Sequence, residues 1–172
     1  MKIIVEDTNI IIDLFNTGLL QFCKKMDIEF HTTDLVIKEI KRPEQRSTLK
    51  GLISNEELKM VVFNIEEMLQ LANLEEECRS TNNLSTADCS VVLLAERLGC
   101  RLLTADQKLV HFAQSRGLET SGLLWLTDEM VEKGVVRPQD MIVYLNHYLD
   151  TNKRAPEKEV SKRITQYKNT RK

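Results

Sequence analysis

Four acids in this chain sit where folding alone rarely puts a carboxylate. Asp7 follows directly on a β-branched run at 3–5, and Asp106 lies just past a second short run at 101–103. In parallel sheets the carboxyl ends of the strands share one edge, and ligands bind along that edge where the strand order reverses. The two aspartates can therefore converge. Asp88 stands in the first turn of a helical segment, with Val91, Val92 and Ala95 following at helical spacing, so its carboxylate tends toward the buried side. Glu39 follows Leu35 and Val36 at the same spacing and borders an apolar stripe. Clustered, desolvated anions are very unfavourable without cations. Hard divalent ions taking oxygen ligands supply that compensation, and Mg2+ or Mn2+ suits an all-carboxylate site.

Each acid also has a plain structural role. Asp88 can stabilise a helix N-terminus, Asp7 and Asp106 can cap the helices after them, and Glu39 can be a surface residue. Their joint order along the chain, with two at strand ends, favours the shared site.

The elements that must position these acids are legible from pattern. Strands are predicted at 3–5, 28–32, 58–63 and 101–103, alternating with helices, which implies a parallel sheet covered on both faces. Thr8 and Asn9 can open a helix to about Phe15, Gly18 separates it from another over 19–25, and Asp34 is read as the cap of the helix carrying Glu39. Pro43 marks a break before a helix to about Ile53. A long helix from about Glu66 is expected to end before the polar Ser80-Thr81-Asn82-Asn83. Ser85-Thr86-Ala87-Asp88 has capping-box spacing, and Gly99 fits a left-handed stop. A helix to Arg116 is stopped by Gly117, another follows Gly122 to about Lys133, Pro138 opens one through Leu149, and Ala155-Pro156 precede a final basic helix.

On these residues the sequence resembles the PIN-domain ribonucleases. Ile4-Val5-Glu6-Asp7-Thr8-Asn9-Ile10-Ile11-Ile12-Asp13-Leu14 is similar to their opening motif, and Leu35-Val36-Ile37-Lys38-Glu39-Ile40 to their second acidic motif. The stretch from Ser85-Thr86-Ala87-Asp88 to Leu102-Leu103-Thr104-Ala105-Asp106 resembles the third and fourth. The resemblance implies a three-layer α/β/α fold with a central, mainly parallel sheet plus C-terminal helices. It also implies Asp7, Glu39, Asp88 and Asp106 around one or two Mg2+ or Mn2+ ions, assisted by Thr8, Asn9 and Thr104. The implied chemistry is hydrolysis of single-stranded RNA by an endoribonuclease, as the toxin of a toxin–antitoxin pair, with a small antitoxin partner and a homodimer. Some relatives carry another acid after the fourth, where this chain has Gln107-Lys108. Ser121-Gly122-Leu123-Leu124-Trp125-Leu126 and the helices beyond look like a longer bacterial PIN subgroup.

Charge is distributed unevenly. Residues 151–172 carry eight Lys and Arg against two Glu, a net +6, whereas residues 1–150 carry −8. An acidic body with a basic end suits an acidic pocket joined to a polyanion-binding appendage. The expected division is a nuclease domain over 1–150 and a basic helix or tail over 151–172, the alternative being a solvated, frayed end. Arg42, Arg46, Lys153, Arg154, Lys162 and Arg163 are the candidate RNA contacts, with solvated cations as the competing reading.

Other classes fit less well. With 42% apolar and 29% charged residues the chain is too apolar for disorder, and no apolar run approaches the ~20 residues of a membrane span. The opening reads straight into a strand without a signal-peptide shape. Cys23, Cys78, Cys89 and Cys100 form no C-x-x-C pair and read as free thiols in a reducing cytoplasm. His31, His111 and His147 show no ligand spacing, and the stripe Met141, Tyr144, Leu145, Tyr148 reads as packing before it reads as a contact surface. An Asp-nucleophile phosphatase needs an acid where Asn9 stands. A catalytically silent binding module of the same fold is the other rival.

Overall fold

The computed structural model describes residues 2–81 and 83–170; Met1, Asn82 and the tail cations Arg171 and Lys172 lie outside the described residues. Strand β1 (Lys2–Glu6) leads into α1 (Thr8–Thr17) and the short α2 (Leu20–Cys23). β2 (Ile28–Thr33), α3 (Asp34–Glu39) and α4 (Pro43–Ser54) follow, then β3 (Lys59–Val61), α5 (Ile65–Thr81) and α6 (Thr86–Leu98). β4 (Arg101–Leu103), α7 (Gln107–Ser115) and β5 (Thr120–Ser121) complete the sheet, and α8 (Leu123–Glu132), α9 (Pro138–Thr151) and α10 (Glu157–Asn169) close the chain.

The five strands pair all-parallel in the order β3-β2-β1-β4-β5. β1 is central, with Ile4 opposite Phe30 on one side and Arg101 on the other. A strand covered on both faces reads as a continuous apolar run, and Ile4 and Val5 are both fully buried. Helices supply the two covering layers: Ile10 and Leu14 of α1 and Val91, Val92 and Ala95 of α6 are equally inaccessible. Each fully buried aliphatic side chain contributes about 1.5–3 kcal/mol, so the elements that carry the acids are firmly seated.

Local signals explain most boundaries. Ser85 and Asp88 close a reciprocal capping box, and α6 ends where Gly99 turns left-handed at φ +57°. There the Cys100 N–H reaches Ala95 O at 3.1 Å and the Gly99 N–H reaches Glu96 O at 3.2 Å, a Schellman closure that feeds directly into β4.

Three expectations need correction. Thr33, not Asp34, caps α3: its Oγ1 accepts the Val36 N–H at 3.3 Å, and Asp34 stands inside the first turn, where it pairs with Lys38. α5 continues through Thr81, two residues into the polar stretch that suggested a stop. β5 is an additional strand of two residues, too short to show any periodicity; it is defined by its pairing with Leu102 and Leu103.

The C-terminal helices pack on the body. α9 lies against α1, α10 lies along α9, and Val160, Ile164 and Tyr167 of α10 are buried. The stripe on α9 is packing: Met141, Leu145 and Tyr148 are buried, and the Tyr144 ring meets Phe22 edge-on at 5.6 Å. All four cysteines are free thiols. Among the described residues no helix is long and apolar enough to cross a membrane.

Candidate active site

From β1 the chain moves to β2 on one side of the sheet, and it later returns to β4 on the other. The strand order therefore reverses between β1 and β4, the place where open parallel sheets form a crevice. The Asp7 N–H donates to Leu103 O at 3.0 Å, fastening the carboxyl ends of the two strands together. Asp7 is only 1% exposed. It occupies the N-cap position of α1 in extended backbone, yet its carboxylate makes no capping bond. Instead Oδ2 accepts the Thr104 hydroxyl at 2.9 Å and, more loosely, the Asn9 amide at 3.5 Å.

Thr104 joins two of the acids. Its Oγ1 donates to Asp7 and accepts the Asp106 N–H at 3.1 Å. Asp106 does cap a helix, with Oδ1 taking the Lys108 and Leu109 N–H groups at 2.8 and 3.1 Å. Asp88 likewise accepts the Ser85 N–H on Oδ2 at 2.9 Å. Glu39, at the end of α3, accepts the Thr8 hydroxyl on Oε2 at 2.9 Å. α3 is held to α6 by a buried hydroxyl pair, Thr33 Oγ1 to Ser90 Oγ at 2.7 Å.

The electrostatics connect the same residues. Burial first and the Asp88 charge second push Asp7 up to about 7; Thr104 and the Thr8 backbone oppose the rise, and Glu39 adds to it. Asp88 is raised by burial, against its bonds to Ser85, with Glu39 and Asp106 adding to the rise. Among the described residues none of these four acids makes a salt bridge with Lys, Arg or His. The same residues include no ready-formed cluster of three or more His, Cys, Asp or Glu able to hold a metal. The acids thus feel one another's charge without forming a closed cage, and Asp88 and Asp106 each commit one oxygen to a helix end. An oxygen-only donor set with uncompensated charge fits a hard divalent cation in chemical type.

A groove of about 920 Å³ opens beside this centre, running from Asn9, Thr104 and Asp106 to the corner between α9 and α10. The candidate RNA contacts separate sharply around it. Arg154 and Arg163 line it. Lys153 is exposed outside its lining, and Lys162 borders a different depression with Asp128 and Gln166. Arg42 and Arg46 are exposed at the start of α4 and are not part of the groove's lining.

Sequence reasoning missed two buried acids. Asp13, 6% exposed, is raised to about 6 by burial while Asn152 and Tyr148 hydrogen bonds hold it down. It is the one charge in the apolar run Ile10-Ile11-Ile12-Asp13-Leu14, a signal that could have exposed it. Glu6, 2% exposed, is pushed by burial to about 8, and among the described residues its Oε1 has no hydrogen-bond partner. Successive strand residues face opposite ways, and Glu6 faces Leu20, Cys23 and Phe30 rather than the acid centre. Of the histidines, His31 bonds Glu29 and His147 meets Asn16 O at 3.0 Å; neither touches the acids.

An all-parallel sheet between helical layers, with acids near its switch point, defines a protein of the α/β class. Residues 3–169 match the DUF3368 family of PIN domains, and the chain belongs to that family. It is 32% identical over 98 residues to the endoribonuclease Nob1 of Pyrococcus abyssi (strain GE5 / Orsay), covering 57% of this chain and 61% of that protein. The chain thus spans about three fifths of that relative's length. Among solved structures it is similar to VapBC2 of Rickettsia felis bound to a promoter DNA fragment. That likeness has a TM-score of 0.50 and 17% identity, covers 70% of this chain and 98% of the other, and speaks to the fold.

Proposed function

We propose that this chain is an endoribonuclease that hydrolyses single-stranded RNA, dependent on Mg2+ or Mn2+ held by Asp7, Glu39, Asp88 and Asp106. The observation that carries the reading is Asp7: a carboxylate 1% exposed, at a capping position it does not use, in the field of Asp88 and Glu39. A carboxylate buried in that way costs stability unless a proton or a cation compensates its charge. Asp7, Glu39, Asp88 and Asp106 would hold a divalent ion, which would supply Lewis-acid activation of water and offset charge on the phosphodiester. The chain's own groups do the positioning: Thr104 aims Asp7 and fixes the Asp106 backbone, while Thr8 orients Glu39. The relationship to an endoribonuclease supports the choice of substrate class.

The test is cleavage of a labelled single-stranded RNA by the purified chain with Mn2+, with EDTA, and with Asp7→Asn. Cutting that needs the metal and is lost in the variant is the expected result. Cutting indifferent to both would refute it. The second reading, a silent binding module, draws on the helix-cap roles of Asp88 and Asp106; it predicts RNA retention without products.

The same reading extends to a cytoplasmic toxin that forms a homodimer and is neutralised by a small protein. Its support is a strip of exposed apolar side chains, Val62, Ile65 and Leu69 at 64%, 84% and 64% exposure, available to a protein partner. Light scattering on the purified chain that gives a monomer at micromolar concentration would remove the dimer.

A further inference from the structure

Resting on the nuclease reading above, we propose that the corner between α9 and α10 is the far wall of the substrate groove. Arg154 is its anchor for an RNA phosphate away from the bond that is cut. The floor of the groove is one face of α1: Asn9, Ile12, Asp13 and Asn16 line it in succession. At 1.5 Å per residue that face extends about 10 Å from the acid centre. A bound strand therefore has room to make contact well beyond the reacting phosphate.

The corner is built rather than loose. The Asn152 amide donates to both Asp13 oxygens, at 2.9 and 3.1 Å, pinning the end of α9 to the middle of α1. The carbonyl end of the same side chain accepts the Arg154 backbone N–H at 2.8 Å. One asparagine thus fixes the corner and the backbone from which Arg154 projects. Among the described residues the Arg154 guanidinium enters no ion pair, although it borders the groove.

The neighbouring cation differs. Arg163 also lines the groove, but its guanidinium is held by Asp128 at 2.8 Å, and Asp128 also accepts the Tyr167 hydroxyl. Arg163 is a strut between α8 and α10, and using it for RNA would break that strut.

Of the two aromatic rings that line the groove, Trp125 already carries the Lys2 ammonium at 4.6 Å and the Arg101 guanidinium at 4.7 Å, and Tyr148 is only 3% exposed. Recognition along the groove therefore falls to the strand's backbone, where a guanidinium makes bidentate bonds with phosphate. The groove also carries Asp13, Asp106 and Glu159, which repel a polyanion, and Arg154 offsets that repulsion at the corner.

The test measures affinity separately from cutting. A fluorescein-labelled 12-nucleotide single-stranded RNA is titrated by anisotropy with the full chain carrying Asp7→Asn, with and without Arg154→Ala, from 50 to 300 mM KCl. We expect Arg154→Ala to weaken binding about five- to tenfold at the lowest salt. It should also flatten the plot of log affinity against log salt by about 0.7, the loss of one phosphate contact on a single strand. Arg154→Lys should restore most of the slope, and Lys153→Ala, outside the groove lining, should leave affinity within twofold. In the cleaving chain, Arg154→Ala should raise KM and leave kcat within twofold. Unchanged affinity and slope in Arg154→Ala, an equal loss in Lys153→Ala, or no binding of the RNA at all would overturn the proposal. If the wild-type chain never cuts RNA yet binds it through Arg154, the nuclease reading falls and the anchor stands. If it cuts with a KM indifferent to Arg154, the anchor falls alone.

Discussion

Replacing Asp7 by Asn should make the metal-free protein more stable at pH 8 and less stable at pH 4. In the unfolded chain an aspartate titrates near 3.8, whereas in the fold burial first, then the Asp88 charge, push Asp7 to about 7. Between these values the native state holds a proton that the unfolded chain has released, so unfolding free energy falls as pH increases. The stability tied to that proton is fully present below about pH 4 and is lost as the pH passes 7. At about 1.4 kcal/mol per pKa unit, the separation amounts to about 4 kcal/mol against the fold at pH 8. Asparagine carries no charge at any of these pH values and keeps an oxygen for the Thr104 hydroxyl. Its buried amide N–H groups lack ready partners, which returns about 1–2 kcal/mol of the gain. The net expectation is a loss of about 1–2 kcal/mol at pH 4 and a gain of about 2–3 kcal/mol at pH 8. For a chain of this length, about 2–4 °C per kcal/mol makes that a rise of roughly 5–10 °C in Tm. Thermal melts of both proteins in EDTA at pH 4, 6 and 8 measure it directly. A variant no more stable than wild type at pH 8, or one whose advantage is the same at every pH, would refute the reasoning.

Further outcomes follow from the same contacts. Asn152→Ala removes two bonds to the buried Asp13 and should cost about 1–3 kcal/mol. Because Asp13 is already raised to about 6, urea midpoints should show that loss growing from pH 5 to 8. Thr104→Val strips the hydroxyl shared by Asp7 and Asp106 and should lower Mn2+-dependent cleavage about 10–100-fold, whereas Thr104→Ser keeps most of it. Gly99→Ala meets no steric obstacle within 4 Å, so chemical denaturation should show only the left-handed backbone cost, about 1–2 kcal/mol.

What could be read from sequence had a local cause. Ser85 and Asp88 form their capping box within one turn, and Gly99 stops the helix through its own backbone, so both were visible in the residue string. The acids at the ends of β1 and β4 were foreseeable because parallel topology puts carboxyl ends on one edge. Other features depend on partners distant in sequence. β5 exists through its pairing with β4, and Glu6 is buried because α2 and β2 close over it. The charges at 163 and 154 look alike in sequence, yet Asp128 holds one and leaves the other at the groove. Asp13 looked like one more helical residue until Asn152, 139 positions later, folded against it. Capping by Asp106 and Asp88 was also foreseeable from sequence, and it coexists with the charge coupling that points to a shared site.

Whether the four carboxylates share one cation is tested most directly by an anomalous-difference map from crystals of the chain soaked in MnCl2. The account predicts a manganese peak bounded by Asp7, Glu39, Asp88 and Asp106. An empty centre at saturating Mn2+, or a peak held by other residues alone, would contradict it.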